Sequence, residues 1–133
     1  MYKQWITIHL INSMHSGHVY VKHAILEYGR FHRNGDRNDE ISTEMIDQTQ
    51  VAPGSSVNIN SCGNPAEASG TEGSIELYDG YTRIAKVHWL CHLGNHSSEF
   101  GISELNDHYW IKSGAWDADS AIGFLDVQVG RKD

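Results

Sequence analysis

From Trp5 onward the chain alternates: Ile6, Ile8 and Leu10 fall on one side of an extended backbone, Thr7 and His9 on the other. That period of two is the mark of a half-buried strand. The same short, β-branched or aromatic character returns at residues 19–28, 56–59, 73–78, 83–90, 99–103, 109–112 and 122–129, each run reading as a further strand. Turn-forming clusters lie between them: His15-Ser16-Gly17, Asn34-Gly35-Asp36, Pro53-Gly54, Gly63-Asn64-Pro65, Asp79-Gly80, Gly94-Asn95 and Lys112-Ser113-Gly114. Only residues 42–48 could hold a helical turn, with Ser42 or Thr43 as its cap. Closely spaced strands without intervening helices predict an all-β, antiparallel sandwich. No linker, low-complexity tract or repeat divides residues 1–133, a length that suits one domain.

Composition narrows the function. Apolar residues make up 39% of the chain and nowhere form the run of roughly 18–20 that crosses a bilayer as a helix. Residues 1–10 carry one lysine and then alternate, without the apolar block of a secretion signal; the expectation is a soluble chain with no signal peptide. Ten basic against 17 acidic residues leave a formal charge of −7 at pH 7, the basic ones scattered singly. Nucleic acid is therefore a poor partner, because phosphate neutralisation dominates that affinity. Strongly anionic membranes should repel the chain as well, which leaves zwitterionic lipids as the better membrane partner. Nine histidines are many for this length, and mild acid could carry the charge as far as about +2. Cys62 and Cys91 could form one disulfide or stay as two small buried thiols; the second is favoured, since two cysteines make no framework.

Several constellations resemble chemistry without completing it. His88, Cys91, His92 and His96 would approach zinc-ligand spacing on a helix. Val87-His88-Trp89-Leu90 reads as strand and Gly94-Asn95 as turn, so His88 and His92 share a face while His96 lies beyond it. The run from Asn34 to Glu40 gathers oxygen ligands, but its glycine comes early and Arg37 interrupts the carboxylates, so a polar hairpin turn outweighs a calcium loop. No Gly-x-Ser-x-Gly elbow and no glycine-rich phosphate loop occurs. No catalytic residue, metal site or cofactor is expected. Trp5 and Trp116 stand at the edges of elements beside small or polar residues, where amphipathic rings suit a water–headgroup boundary, although core packing is the commoner fate of tryptophan.

The order of the segments adds a resemblance. Gln4-Trp5-Ile6 opens the chain; Tyr28-Gly29-Arg30-Phe31-His32 runs into Asn34-Gly35-Asp36; Asn60-Ser61-Cys62-Gly63 precedes Ser69-Gly70-Thr71-Glu72-Gly73-Ser74; Trp89-Leu90-Cys91 and a late Ile122-Gly123-Phe124 follow. Together these resemble the aegerolysin family over nearly the whole chain. The resemblance implies an actinoporin-like β-sandwich whose loops at one end meet lipid. It implies a sphingolipid-type membrane partner, with or without a sterol, and a larger perforin-like protein as the pore-forming half of a two-component cytolysin or insecticidal toxin. Such a protein would be released from the cell and act at target membranes.

Carried over position by position, the lipid-binding set is Trp5, Tyr28, Ser69, Leu93 and His96. Trp5 is unchanged from fungal members. Tyr28 stands where they have tryptophan, Ser69 where they have a glutamate tied to sphingomyelin–cholesterol recognition, Leu93 in place of a tryptophan and His96 in place of a lysine. Leucine keeps an apolar anchor but loses the indole's donor and its flat face for choline. Histidine for lysine makes a phosphate contact depend on pH, so His92 and His96 form a candidate acid-sensitive pair. The alternative is a lectin-like or signalling binder of lipid or glycan with no pore partner. A metal-dependent enzyme built on the histidine cluster ranks third.

Overall fold

The computed structural model describes residues 4–63, 70–92, 97–117, 119 and 121–132. Its elements in chain order are β1 (Trp5–Asn12), β2 (Val19–Tyr28), β3 (Arg30–Arg33), β4 (Asp36–Ile41), α1 (Thr43–Ile46), β5 (Gln50–Val51), β6 (Ser56–Cys62), β7 (Thr71–Asp79), β8 (Thr82–Cys91), β9 (Glu99–Ser103), β10 (Tyr109–Ser113) and β11 (Gly123–Arg131). They form a six-stranded sheet, β10-β11-β1-β6-β3-β4, and a five-stranded sheet, β5-β2-β7-β8-β9. Ile6, Ile8, Leu10, Leu125, Val127 and Val129 from the first join Val19, Val21, Ile75, Leu77, Val87 and Trp89 from the second in one buried cluster. The sandwich expected from the alternation is therefore present, with the inward set of β1 as predicted.

Three strands escaped the pattern. β3 and β4 form the hairpin about the predicted Asn34-Gly35 turn, with Phe31 opposite Ile41 and His32 opposite Glu40. Their sequences, RFHR and DRNDEI, offer almost no alternation because β4 is an edge strand whose charged side chains face water, a composition that discourages pairing with other chains. β5 has only two residues, too few to register as a period. The pairings are antiparallel except that of β1 with β11, which run parallel from Ile6 beside Gly123 to Asn12 beside Val129. Hydrophobic period does not encode which distant strand becomes a neighbour, so this parallel pair departs from the wholly antiparallel expectation. The helical turn is short, and the Ser42 hydroxyl caps it by accepting from the Met45 amide.

A buried chain of hydrogen bonds ties the two sheets together. The Trp89 indole donates to Thr71 Oγ1 (3.2 Å), Thr71 and Ser61 share a 2.6 Å hydroxyl contact, and Ser61 Oγ donates to the Arg30 carbonyl (3.0 Å). Because the Ser61 hydrogen is committed to a carbonyl, which cannot donate, the Thr71 hydroxyl must donate to Ser61. Each group then gives one hydrogen in a single direction, from β8 through β7 and β6 to β3. Gly73 permits this packing: a Cβ there would stand 2.7 Å from the Trp89 ring. At the opposite end of the sandwich the Asp79 carboxylate takes Arg131 Nη1 at 2.9 Å and the Tyr109 hydroxyl at 2.8 Å. Burial first, and the neighbouring carboxylate second, push the Tyr109 phenol above its ordinary value.

Replacing Thr71 with valine keeps the shape but leaves the buried indole N–H and the Ser61 hydroxyl short of partners. Denaturant unfolding should register a loss of about 1–3 kcal/mol, with Thr71→Ser much closer to the parent. Equal midpoints for all three proteins would show the chain of bonds to be dispensable.

Candidate functional site

The registers gather the termini of β1, β2, β3, β6, β7 and β8 at one end of the sandwich. Trp5 at the start of β1 lies beside Cys62 at the end of β6, and Cys62 in turn beside Arg30 at the start of β3. On the other sheet Tyr28 pairs with Glu72, and Thr71 with Cys91. Gly63 N–H extends the β1–β6 ladder by donating to the Gln4 carbonyl (2.7 Å), and two cross-sheet contacts close the gap: Gln4 Nε2 donates to the His92 carbonyl (3.2 Å) and the Cys91 thiol reaches the Trp5 carbonyl (3.6 Å). Gly29 carries the chain from one sheet to the other at φ +87°. A side chain there would collide with the Cys62 carbonyl and Thr71, so glycine is required both by the left-handed backbone and by the lack of room.

Of the residues singled out in the sequence, Trp5 and Tyr28 come together at this end. Trp5 is half-buried on the six-stranded sheet, its ring against Gly123. Tyr28, on the five-stranded sheet, is 58% exposed. The two rings therefore bracket the end from opposite layers. His92 follows β8 directly and is half-buried. Ser69, Leu93 and His96 lie outside the described residues, as does any test of Leu93 against Trp5 and Tyr28; their described neighbours Gly70 and His92 sit at this end. Trp116 packs against the core.

Sequence reasoning missed Arg30. It lines a cavity of about 370 Å³ with Asp36, Arg37, Asn38, Cys62 and Gly63. Arg30 Nη2 reaches Asn38 Oδ1 only at 3.5 Å, while its Nε is buried and has no hydrogen-bond partner among the described residues. A buried donor without a partner is costly, and the planar guanidinium is suited to bidentate contact with phosphate or carboxylate. The clue lay in Gly29-Arg30: the residue directly after an obligatory glycine crossover is forced to this end of the fold.

His23 and His88 pair with carboxylates. His88 Nε2 meets Glu72 at 3.1 Å, and His23 Nδ1 meets Glu76 at 3.3 Å. Among the described residues no group of three or more His, Cys, Asp or Glu is disposed to hold a metal ion. One line of residues has the connectivity of a catalytic triad: His9 Nδ1 lies 2.8 Å from Asp126 and its Nε2 3.0 Å from Ser56 Oγ. It sits on the outer face of the sheet with Asp126 57% exposed, open to the water that such chemistry must exclude to gain electrostatic strength. Both cysteines are free and buried, as favoured from the sequence. Burial pushes the Cys91 thiol up to about 11, against hydrogen bonds from the Ile122 backbone and Ser98 that pull the other way.

Comparison with known proteins accords with this geometry. The family model described as Aegerolysin matches residues 3–132. Asp-hemolysin of Aspergillus fumigatus is 46% identical over 132 residues, covering 98% of this chain and 95% of its own. Ostreolysin A6 of Pleurotus ostreatus is 29% identical, covering 98% and 97%. The crystal structure of RahU protein in complex with a Tris molecule superposes with a TM-score of 0.93 at 30% identity, over 100% of this chain and 98% of that one.

The thiols give a direct check. Ellman's reagent should find no reactive cysteine in the native protein at pH 8 and two after unfolding, because both are buried and unpaired. Since the folded state holds the Cys91 proton more tightly than an ordinary thiol of 9.0, its contribution is complete below pH 9. It is lost as pH rises toward 11, by roughly 2–3 kcal/mol across that interval. Denaturation midpoints that fail to fall more steeply for the parent than for Cys91→Ala would contradict the shift.

Proposed function

Because the chain belongs to the aegerolysin family, we propose that it is a membrane-lipid binder whose recognition surface is the sandwich end carrying Trp5, Tyr28 and Arg30. The observation that carries this reading is the pairing of two interfacial rings with a cavity lined by Arg30, whose Nη2 reaches Asn38 Oδ1 only at 3.5 Å. Tyrosine and tryptophan favour the headgroup level of a bilayer. The Arg30 guanidinium beside them offers donors to a headgroup phosphate. The lipid so recognised is of sphingolipid type, a phosphate-bearing headgroup on an amide-linked backbone, with sterol as a modulator.

The names of two relatives, Asp-hemolysin and ostreolysin, support a cytolytic context. Among the described residues no helix is long and apolar enough to cross a membrane. In the proposed arrangement this chain targets the membrane after release from the cell, and a larger perforin-like partner makes the pore. Its role is binding, without catalysis. Ser69, Leu93 and His96 complete the proposed lipid-facing set, Leu93 as an apolar anchor. His92 and His96 supply cations near the phosphate when protonated, strengthening attachment in mild acid.

Vesicles of phosphatidylcholine alone, sphingomyelin with cholesterol, and ceramide phosphoethanolamine with cholesterol test the reading by cosedimentation. Binding is expected only where a sphingolipid is present. Tyr28→Ala and Leu93→Ala should each weaken it by about 1–2 kcal/mol, the value of one such apolar contact. Equal attachment to all three vesicles, or to none, would overturn the assignment. Affinity should also rise as pH falls from about 7.5 to about 5.5, the interval in which imidazole titrates. A His92→Gln/His96→Gln variant should lose that rise; identical pH profiles would remove the two histidines from the mechanism.

A further inference from the structure

The outer face of the five-stranded sheet carries a second aromatic cluster, far from the end just described. Tyr20 of β2 stands directly opposite Tyr78 of β7. Tyr81, at the turn between β7 and β8, is 99% exposed. The Lys22 ammonium lies 4.6 Å from the Tyr78 ring centre and 5.6 Å from that of Tyr81, and donates to the Gly80 carbonyl at 3.3 Å. Tyr20, Lys22, Gly80 and Tyr81 line a basin of about 370 Å³. Gly80 adopts φ +61°, and the space beside its Cα is open.

The chemistry of the basin excludes most occupants. A lipid tail or apolar peptide would need a dry trough, whereas this floor mixes phenols with an ammonium. A quaternary amine would be repelled by the Lys22 ammonium, which already stands 4.6 Å from the Tyr78 ring centre and 5.6 Å from that of Tyr81. An anion would need a surplus of positive charge. Here Lys22 sits in register with Glu76, whose carboxylate already takes Arg83 at 3.3 Å and His23 at 3.3 Å. What remains is a neutral ligand with one flat apolar face and a rim of hydroxyl groups.

We propose that Tyr20, Lys22 and Tyr81 form a binding site for a neutral pyranose sugar. One ring of the saccharide stacks on Tyr81, its C–H edges against the electron-rich face. Its hydroxyls meet the Lys22 ammonium and the Tyr20 phenol. Tyrosine suits the task because it presents rigid amphipathic area with little rotamer entropy to lose. The site is independent of lipid recognition: Tyr20 and Tyr28 are eight residues apart on β2, roughly 25 Å along an extended strand.

Saturation-transfer difference NMR and calorimetry with the methyl glycosides of galactose, glucose, mannose and N-acetylglucosamine provide the test. N-acetylneuraminic acid and phosphocholine serve as charged probes. At least one neutral glycoside should bind, with Tyr81→Ala weakening it at least tenfold and Lys22→Gln at least threefold, while Tyr28→Ala leaves it unchanged. Tyr81→Ala should retain the parent's vesicle binding, since the removed ring is wholly exposed and supports no packing. The proposal fails if none of the four neutral glycosides binds, if only a charged probe does, or if Tyr81→Ala binds as well as the parent.

Discussion

The directed run of hydrogen bonds from Trp89 through Thr71 and Ser61 to the Arg30 carbonyl holds the two sheets in one relation beneath the candidate lipid-facing end. Sandwich layers joined only by apolar contact can tolerate repacking, because dispersion has little directional preference. A buried polar chain whose members are all satisfied is less forgiving, since a shift of either sheet would strand a donor. Its last acceptor is the main chain of Arg30, the residue whose side chain faces the cavity. The interior thus fixes the backbone of the arginine whose guanidinium lines the surface, and Gly29 beside it is fixed by sterics.

Most of the fold was legible in the sequence, for a physical reason. Strands with one face in the core must alternate, so β1, β2, β7, β8 and β11 declared themselves. β3 and β4 did not, because their polar residues serve solvent and an edge, and an edge strand is specified by its neighbour as much as by its own composition. The parallel union of β1 with β11 was equally silent, being a relation between residues more than a hundred positions apart. Within the candidate site the aromatic members Trp5 and Tyr28 could be named in advance through resemblance. Arg30 could not, since nothing in a lone arginine reveals that its Nε will be buried without a partner. The Tyr20, Tyr78 and Tyr81 cluster was hidden too: the register of β2 against β7 assembles it.

The charge distribution has a consistent logic. The chain is acidic as a whole, yet His9, His23 and His88 each stand within 3.3 Å of a carboxylate, on outer faces where water reaches them. Exposed pairs of this kind contribute little individually; their collective effect is on the field that a membrane or a partner meets at a distance.

The parallel pairing of β1 with β11 bears on how the protein transmits force. Because the two strands run in the same direction, Trp5 and Arg131 lie at opposite ends of one ladder. A pull applied between them would load the hydrogen bonds along that ladder together, in shear, instead of opening them one by one. β1 is further clasped on its other edge by β6. A protein anchored to a bilayer at the Trp5 end and drawn away from the Arg131 end would therefore be strained along its most resistant axis, as a tether under load requires.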